Sequence, residues 1–248
     1  SPNALEVFLK ANTFQRNGEC YHSISGKRIS ACVPMHTFGH PAKIDHISSI
    51  CSDYNIVLVE DSAESIGSFY KGIHTGNFGK LGAFSFNGNK TITCGGGGVI
   101  ITNDEKLGIL GKHLTTQAKV PHKWDFVHDQ IGYNYRLPNL NAALACAQLE
   151  QIETFIDDKR EIASLYKDFF EGSQYSFVKE PIGARSNYWL NAILTKDVEA
   201  RNETLEILNS SNVMSRPCWS LMHRLEMFKN CYRDSLTNSI WVEDRLIN

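Results

Sequence analysis

The run NIVLVED, Asn55 to Asp61, constrains the fold more than any other stretch of this sequence. Its apolar residues are continuous rather than alternating. It follows the segment Ala42–Tyr54, in which Ile44, Ile47 and Ile50 recur at helical spacing. A continuous apolar run next to helical segments is typical of a strand that is buried on both faces of a parallel sheet. The sequence therefore predicts an α/β fold with right-handed crossovers.

The same patterns predict the other elements of the chain. We expect strands at Arg28–His36, Phe84–Phe86, Val99–Thr102 and NYWLNAIL (187–194), and helices from Asn103 or Asp104 to about Lys119, over Leu137–Phe170 and over Val198–Asn209. An apolar face follows the longest helix and comprises Leu140, Leu144, Ala147, Ile152, Ile156, Ile162, Tyr166 and Phe169. This helix is predicted to stop near Gly172 and to join a large domain (residues 1–155) to a small α+β domain (residues 156–248). The aromatic residues at its end, Tyr166, Phe169 and Phe170, are expected in a core or an interface.

Composition excludes several classes of protein. With a formal net charge of -2 and 42% hydrophobic residues, the chain lacks the basic excess of a sequence-independent nucleic-acid binder. No apolar run approaches the roughly 20 residues of a membrane span. The seven cysteines are odd in number and lack CxxC spacing, which disfavours a disulfide framework or a zinc site. Reduced thiols and the lack of a leader pattern predict a cytoplasmic location.

Two charged residues lie where a parallel sheet places its ligands. Asp61 ends the NIVLVED run, and Lys90 follows the apolar stretch AFSF after an Asn-Gly-Asn turn. Ligands of such sheets bind beyond the carboxyl ends of the strands. A lysine in a partly apolar turn can serve as a nucleophilic amine. From the residues alone, two plainer interpretations stay open: Asp61 caps a turn, and Lys90 lies exposed in one.

A phosphate-binding loop is a weaker interpretation of the same region. The stretch GAFSFNGNKT approaches the pattern G-x-x-x-x-G-K-T, but Asn89 separates the glycine from Lys90. The glycine run Gly95–Gly98 also follows the lysine, whereas a phosphate cradle needs its glycines first. A nucleotide triphosphatase is therefore disfavoured.

His36 and His40 have the i, i+4 spacing of some metal ligands. Gly39 and Pro41 exclude a regular helix at this point, so the spacing does not place both rings on one helical face. A loop near the substrate is favoured over a metal site, and no metal is predicted.

Three stretches resemble consecutive signatures of the DegT/DnrJ-type sugar aminotransferases: VEDSAESIGSFYKG, GAFSFNGNKTITCGGGGVI and IGYNYRLPNLNAALACAQLE. The likeness extends from VPMHTFGHPAKID to SRPCWSLMHRLEMF, nearly the whole chain. These are pyridoxal-phosphate (PLP) enzymes of the aspartate-aminotransferase fold. The resemblance implies a mostly parallel large-domain sheet with a small α+β C-terminal domain. The most similar branch makes 4-amino sugars for legionaminic acid and bacillosamine pathways.

The resemblance implies a role for each matching residue. Lys90 would bind PLP as a Schiff base and then move the proton between the substrate α-carbon and C4′ of the cofactor. Asp61 would keep the pyridine nitrogen protonated, and Ser85 would hydrogen-bond the phosphate. Asn134 would reach the phosphate of the neighbouring protomer, which implies a homodimer with a shared active site. Glu64 stands beside the ring where many relatives carry Gln or His.

The substrates are likewise implied by the resemblance. Glutamate would donate its amino group to C4 of a nucleotide-linked 4-keto-6-deoxy sugar, expected to be UDP-linked and 2-acetamido. Arg136 would contact the nucleotide diphosphate or brace the dimer, and Arg216 and Trp219 of RPCW would contact the sugar nucleotide or pack at an edge of the small domain. The run Gly95–Gly98 would let the backbone pass close beneath the cofactor lysine.

Two other classes stay open within the same fold. One is a non-catalytic scaffold or regulator, which has no need of the set Asp61, Ser85, Lys90 and Asn134. The other is a dehydratase, which replaces the cofactor lysine. The chain begins without a Met in the apolar-periodic segment ALEVFLKA and stops at VEDRLIN without a helix stop signal, so it is expected to be truncated at both ends. The resemblance implies a preceding N-terminal region with a Gly-Thr turn that binds the phosphate.

Overall fold

The computed structural model describes residues 1–248, which form two compact units. The first comprises residues 1–159 and 180–189, and the second comprises residues 160–179 and 190–248. The division therefore falls inside a helix a few residues beyond the predicted boundary after residue 155. It also differs from the prediction in that residues 180–189 return to the first unit. None of the helices combines the length and the apolar composition that crossing a membrane requires.

Seven α-helices are separated along most of the chain by runs of short strands. The α-helices are α1 (Pro2–Asn12), α2 (Ile44–Asp53), α3 (Glu105–Thr115), α4 (Asn139–Leu149), α5 (Ile152–Phe170), α6 (Val198–Ser210) and α7 (Thr237–Glu243), with single 3₁₀ turns at Thr37–Gly39, Met222–Arg224 and Glu226–Phe228. The strands are β1 (Thr13–Arg16), β2 (Glu19–His22), β3 (Ala31–Cys32), β4 (Val57–Asp61), β5 (Phe69–Tyr70), β6 (Ile73–His74), β7 (Leu81–Ser85), β8 (Gly98–Ile101), β9 (Lys119–Val120), β10 (Val127–His128), β11 (Ser176–Phe177), β12 (Ala184–Arg185), β13 (Ile193–Leu194) and β14 (Leu246–Ile247).

A four-stranded sheet in the order β3-β4-β7-β8 organises the first unit. Strands β3, β4 and β7 run parallel, and β8 pairs antiparallel with β7. The strand predicted at NIVLVED is confirmed as β4. Leu58 and Glu60 of β4 are buried, whereas Val57 is 42% exposed, so only one face of this strand is fully covered. The strand predicted over Arg28–His36 is shorter, because only Ala31–Cys32 and an isolated bridge from Met35 to Asp61 pair with β4.

Helix α2 covers the buried face of this sheet. Ile44 and Ile47 are buried and pack in one apolar cluster with Leu9 of α1 and Leu58 of β4, while Ile50 is partly buried at its edge. The helical spacing that predicts α2 is thus confirmed, and the cluster fixes the strand that ends at Asp61. Burial of a leucine or isoleucine side chain of this kind contributes about 1.5–3 kcal/mol.

The long helix predicted over Leu137–Phe170 is two helices. Helix α4 ends at Leu149 and α5 begins at Ile152. The predicted apolar face is also mostly open in the structure: Ile156 is buried, but Leu140 is 87% exposed and Phe169 is 77% exposed. Periodicity identifies which residues share a face, but it does not identify what covers that face. Placement of Tyr166 and Phe169 in an internal core is therefore wrong, and an interface stays a prediction.

Helix α3 begins where the sequence predicts and ends earlier. Asp104 is its N-cap, and its side chain accepts a hydrogen bond from Leu107 N at 3.2 Å. The helix stops at Thr115, since Gln117 and Ala118 adopt positive φ values and β9 follows.

The second unit contains an antiparallel sheet, β11-β13-β14, with helix α6 beside β14. Helix α6 confirms the prediction over Val198–Asn209, and its N-cap Asp197 accepts a hydrogen bond from Ala200 N at 2.9 Å. The strand predicted at NYWLNAIL is wrong over most of its length, because only Ile193–Leu194 pairs as β13. The residues before it serve a different purpose in the first unit, described below.

Candidate active site

Asp61 and Ser85 lie at the carboxyl ends of neighbouring parallel strands. Asp61 is the last residue of β4 and aligns with Ala83 of β7, which ends at Ser85. Asp61 Oδ1 accepts a hydrogen bond from Ala63 N at 3.1 Å, so Asp61 does cap the turn that follows it. Its other carboxylate oxygen makes no hydrogen bond within the chain. Turn capping and ligand binding are therefore compatible at this residue.

Ser85 keeps donor capacity at the same edge of the sheet. Its Oγ accepts a hydrogen bond from Asn87 N at 3.3 Å, and its hydroxyl hydrogen has no acceptor within the chain. A hydroxyl in this state can donate to an anionic oxygen of a ligand.

The loop that carries Lys90 is fixed by apolar anchors on both sides. Phe86, Ile92 and Cys94 are buried and form a cluster with Ala145 of α4. The backbone N–H of Lys90 donates to Asn87 O at 3.1 Å, which closes a tight turn. The position of the Lys90 Cα is therefore set by packing as well as by the turn.

The Lys90 side chain points into the protein. It is 13% exposed, its Nζ lies 3.7 Å from Glu64 Oε1, and the same Nζ lies 4.1 Å from the centroid of the Trp189 ring. The interpretation of Lys90 as an exposed turn lysine is therefore wrong. An amine held between a carboxylate and an aromatic face is positioned to bind a ligand, whereas an exposed lysine mainly keeps the surface hydrated.

Glu64 is a buried carboxylate with two neighbours of different kinds. Its Oε2 accepts a hydrogen bond from Phe38 N at 2.7 Å, and its Oε1 faces Lys90. Burial raises the pKa of Glu64, and the Asp61 carboxylate acts in the same direction, while Phe38 N–H and Lys90 partly offset them. Phe38 has φ 58°, an uncommon conformation for a residue with a side chain, and the bond to Glu64 helps to hold it.

A second buried carboxylate supports the strand end next to Asp61. Glu60 Oε1 accepts hydrogen bonds from the backbone N–H groups of Phe78 and Gly79, both at 2.7 Å, and Oε2 accepts one from Gly76 N at 2.8 Å. His36 Nδ1 accepts from Ala42 N at 3.1 Å, so its Nε2 carries the hydrogen that is donated to Glu60 Oε2 at 3.1 Å.

This arrangement fixes the ionisation of Glu60. Burial alone would raise the pKa of Glu60, but the hydrogen bonds from His36 and from the backbone N–H groups of Gly76 and Gly79 outweigh burial and lower it. Both ring nitrogens of His36 are engaged within the chain, which leaves neither as a metal ligand. Glu60 thus anchors the chain that returns from Asp61 towards β7.

Asn187 ties three segments of the site together. Its Nδ2 donates to Glu64 O at 2.9 Å and to Ile66 O at 2.8 Å, and its Oδ1 accepts from Trp189 N at 2.9 Å. The fit against Gly39 is close, because a Cβ added at Gly39 would lie 1.8 Å from Asn187 Oδ1. Gly39 also has φ +88°, which a residue with a side chain rarely adopts.

Asn134 and Arg136 contact each other on the exposed surface. Arg136 Nη1 donates to Asn134 Oδ1 and to Gln117 Oε1, both at 2.9 Å. None of the hydrogen bonds of Asn134 is to Asp61, Ser85 or Lys90, so within one chain Asn134 is not part of that cluster. Arg136 also lines an apolar groove of about 1040 Å³ along β7, β8, α3 and α4.

Arg216 and Trp219 belong to the second unit. The backbone of Arg216 pairs with Asn248, with N···O distances of 2.8 and 2.9 Å. Trp219 is 51% exposed. Their predicted contacts with a sugar nucleotide stay a prediction.

The glycine run permits close approach to a strand. A Cβ at Gly98 would lie 2.4 Å from Phe84 O of β7, and one at Gly97 would lie 2.8 Å from Leu137 Cδ1. Glycine is therefore required at position 98, where the close contact is with backbone, and it is favoured at position 97 by a φ of +103°. Passage beneath the cofactor lysine itself stays a prediction.

The donor and acceptor groups of this cluster match the chemistry of PLP. Lys90 offers a primary amine for its aldehyde, Asp61 a carboxylate oxygen for its pyridine N–H, and Ser85 a hydroxyl hydrogen for its phosphate. Glu60, Asn187 and Trp189, by contrast, were not predicted as site residues. In the sequence, Glu60 is distinguished from other acidic residues in strands only because it precedes Asp61. Asn187 and Trp189 lie about 100 residues from Lys90 in the sequence, so no spacing pattern predicts that folding brings them to it.

Comparison with known proteins gives the fold and the family. The profile of the DegT/DnrJ/EryC1/StrS aminotransferase family matches residues 9–248. A structure of a DegT DnrJ EryC1 StrS aminotransferase from Brucella abortus superposes with a TM-score of 0.84 at 23% identity, covering 100% of this chain and 63% of that one. This likeness shows the fold, which is the PLP-dependent transferase fold that the sequence predicts.

Two curated relatives are more similar in sequence. GDP-perosamine synthase of Escherichia coli O157:H7 is 39% identical over 83% of this chain and 56% of its own length. The putative pyridoxal phosphate-dependent aminotransferase EpsN of Bacillus subtilis (strain 168) is 35% identical over 92% of this chain and 56% of its own length. The chain thus spans little more than half of these relatives. Aminotransferases of this family depend on PLP. With the match over residues 9–248 and these identities, the chain belongs to the DegT/DnrJ/EryC1/StrS aminotransferase family.

Proposed function

We propose that the protein to which this chain belongs is a PLP-dependent aminotransferase acting on nucleotide-linked sugars. The observation that carries the proposal is the placement of Lys90, whose amine, on a side chain only 13% exposed, lies 3.7 Å from Glu64 Oε1, and Glu64 follows the strand that ends at Asp61. A scaffold or regulator gains nothing from burying an amine beside a carboxylate at the ligand-binding edge of the sheet. A dehydratase of this fold would lack the lysine.

Each residue of the cluster has a defined task in the proposed reaction. Bound PLP supplies an electron-withdrawing ring that stabilises the negative charge left when a C–H bond next to nitrogen is broken. Lys90 would hold the cofactor through its amine and would move the proton between the substrate α-carbon and C4′ of the cofactor. Asp61 would keep a proton on the ring nitrogen through the carboxylate oxygen that has no hydrogen bond within the chain. Ser85 would donate to the phosphate, and Glu64 would lie beside the ring.

The amino donor and acceptor are the finer part of the proposal. Glutamate would give its amino group to C4 of a nucleotide-linked 4-keto-6-deoxy sugar, for surface-polysaccharide or nonulosonate synthesis in the cytoplasm. The resemblance to the legionaminic acid and bacillosamine branch implies a UDP-linked 2-acetamido sugar as the acceptor. The curated relatives from Escherichia coli and Vibrio cholerae are named GDP-perosamine synthases. We therefore propose a GDP-linked sugar as the first acceptor to assay, with a UDP-linked 2-acetamido sugar as its comparator.

The complete site is proposed to need a homodimer. Asn134 makes no hydrogen bond to the Lys90 cluster of its own chain, and it lies on the exposed surface beside Arg136. Exposed apolar side chains of α4 and α5, such as Leu140 and Phe169, offer a surface that a second copy would cover. In the dimer Asn134 would reach the phosphate in the opposite site. Arg136, Arg216 and Trp219 are retained as proposed contacts of the nucleotide sugar.

A visible absorption spectrum tests the cofactor assignment. Wild-type protein mixed with PLP should show a band that borohydride reduces and fixes to the chain, and mass spectrometry should place the adduct on Lys90. Lys90→Ala should lack the band. Lys80→Ala is a matched control, because Lys80 lies on the same hairpin but pairs with Asp104 on the surface. A band that survives Lys90→Ala, or no band in folded full-length protein, would overturn the proposal.

A further inference from the structure

Trp189 lies directly against the candidate cofactor lysine. The indole is 5% exposed, and its ring centroid is 4.1 Å from Lys90 Nζ. Its Nε1 donates a hydrogen bond to Asn89 O at 2.7 Å, so the ring is tied to the residue that precedes the lysine. One side chain thus contacts both the backbone and the amine of the same loop.

The backbone around Trp189 is itself fixed by buried hydrogen bonds. Trp189 N donates to Asn187 Oδ1, and Asn187 N donates to Ser68 Oγ, both at 2.9 Å. Asn187 also donates to Glu64 O. The segment that positions the indole is therefore hydrogen-bonded to the segment of residues 64–68, which also carries the carboxylate that faces Lys90.

A lysine needs such a support more than most side chains do. Its amine ends a flexible four-carbon stem, and any reaction requires it to stay within about 3–3.5 Å of the attacked atom. The aromatic face attracts the amine in its charged form and restricts it to one side of the loop. Glu64 limits it from another direction.

We propose that Trp189 is a positioning residue for Lys90, acting through the amine rather than on the substrate. This inference rests on the proposed function, because it takes Lys90 to be the residue that binds PLP. It predicts that Trp189 affects PLP, which bonds to the Lys90 amine, more than pyridoxamine 5′-phosphate, which has no aldehyde and forms no such bond.

Equilibrium binding of the two cofactor forms makes the first test. Trp189→Leu should weaken PLP about tenfold more than it weakens pyridoxamine 5′-phosphate. Trp189→Phe, which keeps an aromatic face, should recover most of that difference. Trp124→Leu is the matched control, because Trp124 is exposed and contacts Lys123 instead. Equal weakening of both cofactor forms in Trp189→Leu would mean that Trp189 is only a wall of the site, and would overturn the proposal.

A second measurement needs no cofactor. Lysines labelled by reductive methylation with ¹³C-formaldehyde give one NMR signal each, and Lys90→Arg identifies the signal of Lys90. An indole face at 4.1 Å should shift that signal upfield, and Trp189→Leu but not Trp124→Leu should abolish the shift. A Lys90 signal without this shift in wild-type protein would overturn the proposal. If the wild type shows the shift yet binds neither cofactor form, the proposed function fails and so does the role of Trp189 towards PLP, although the contact stands.

Discussion

The Glu64 carboxylate and the Lys90 amine face each other at 3.7 Å with little solvent between them, since their side chains are 7% and 13% exposed. The other oxygen of the same carboxylate accepts the backbone N–H of Phe38. Glu64 therefore has two separable tasks, one towards the Lys90 amine and one towards the fold. Substitutions that keep or remove its acceptor can tell them apart.

Replacing Glu64 should affect stability according to whether an acceptor remains. Glu64→Ala should lower the free energy of unfolding by about 1–3 kcal/mol, because Phe38 N–H would stay buried without a partner. Glu64→Gln keeps an oxygen for Phe38 and loses only the charge that faces Lys90, so it should lose less stability than Glu64→Ala. Urea unfolding measures both, with Glu153→Ala, an exposed side chain, as control. Equal losses in the two Glu64 variants would show that the bond to Phe38 is unimportant.

Asp61 should matter more for the reaction than for cofactor binding. Asp61→Asn keeps an acceptor for Ala63 N but loses the charge that holds a proton on the pyridine nitrogen. We expect conversion of bound PLP by glutamate to slow by on the order of a hundredfold or more, with little change in PLP affinity. Single-turnover absorbance and equilibrium titration measure the two quantities. If Asp61→Asn lowers the rate and the PLP affinity by the same factor, Asp61 is a structural residue only.

Glu60 should be among the most costly polar residues to replace. Four donors converge on its carboxylate, three of them backbone N–H groups. Glu60→Gln places an amide N–H₂ against these donors, so we expect a loss of about 3–5 kcal/mol in the free energy of unfolding. Glu153→Gln, which breaks only an exposed ion pair with Arg185, should lose less than about 1 kcal/mol. A loss below that of the control would contradict the anchoring role of Glu60.

Stability should fall in mild acid because buried histidines resist protonation. Burial lowers the pKa of His40 to about 4, against a weaker opposite effect of Glu180, and burial lowers the pKa of His74 as well. Above pH 6.5 these groups are neutral in both the folded and the unfolded chain. Between pH 6.5 and about 4 the unfolded chain takes up the His40 proton first, so folding loses up to about 1.4 kcal/mol per pH unit for that site.

His40→Phe separates this contribution from the rest. Neither ring nitrogen of His40 has a hydrogen-bond partner within the chain, so phenylalanine replaces the ring without breaking a polar contact. The variant should gain stability over wild type as pH falls from 6.5 to 4, as measured by urea unfolding at several pH values. His46→Gln, on an exposed side chain, should follow the wild-type pH dependence. A pH dependence unchanged by His40→Phe would place the effect elsewhere.

A mixing experiment tests whether two protomers share each site. Lys90→Ala and Asn134→Ala should each be inactive or strongly impaired as homodimers of the full-length protein. Mixed dimers would contain one site with both residues intact, so refolding the two together should restore about a quarter of wild-type activity. Additive residual activity without recovery would mean that Asn134 acts within its own chain or outside the site. Sedimentation of the same samples reports whether dimers form at all.

Local sequence patterns correctly predicted those helices and strands whose position depends on a single apolar face or on a single capping residue. Helices α2 and α6, strand β4 and the cap at Asp104 all followed from residues close together in sequence. The errors lie where distant segments decide the outcome. Tyr188 and Trp189 have strand propensity, yet they are drawn into the first unit by Asn187 and by the Trp189 bond to Asn89. Leu140 is likewise 87% exposed although it lies on the predicted apolar face, because periodicity does not reveal what covers a face.

The candidate site divides in the same way. The residue types of Asp61 and Lys90 and their places after strands indicate a ligand site, and the family resemblance implies roles that stay predictions. The burial of Lys90 and its approach to Glu64 and Trp189 could not be predicted, because they depend on side-chain packing of loops. The same holds for Glu60, whose partners come from a loop that the sequence marks only by its glycines.

The close fit between Gly39 and Asn187 restricts how this sequence can evolve. Any side chain at position 39 would collide with the Asn187 amide, and a smaller residue at position 187 would leave the carbonyl oxygens of Glu64 and Ile66 without their donor. A single substitution at either place is therefore selected against, although the two positions are far apart in the chain. Variants that keep this loop arrangement should therefore keep the pair unchanged or exchange both members together.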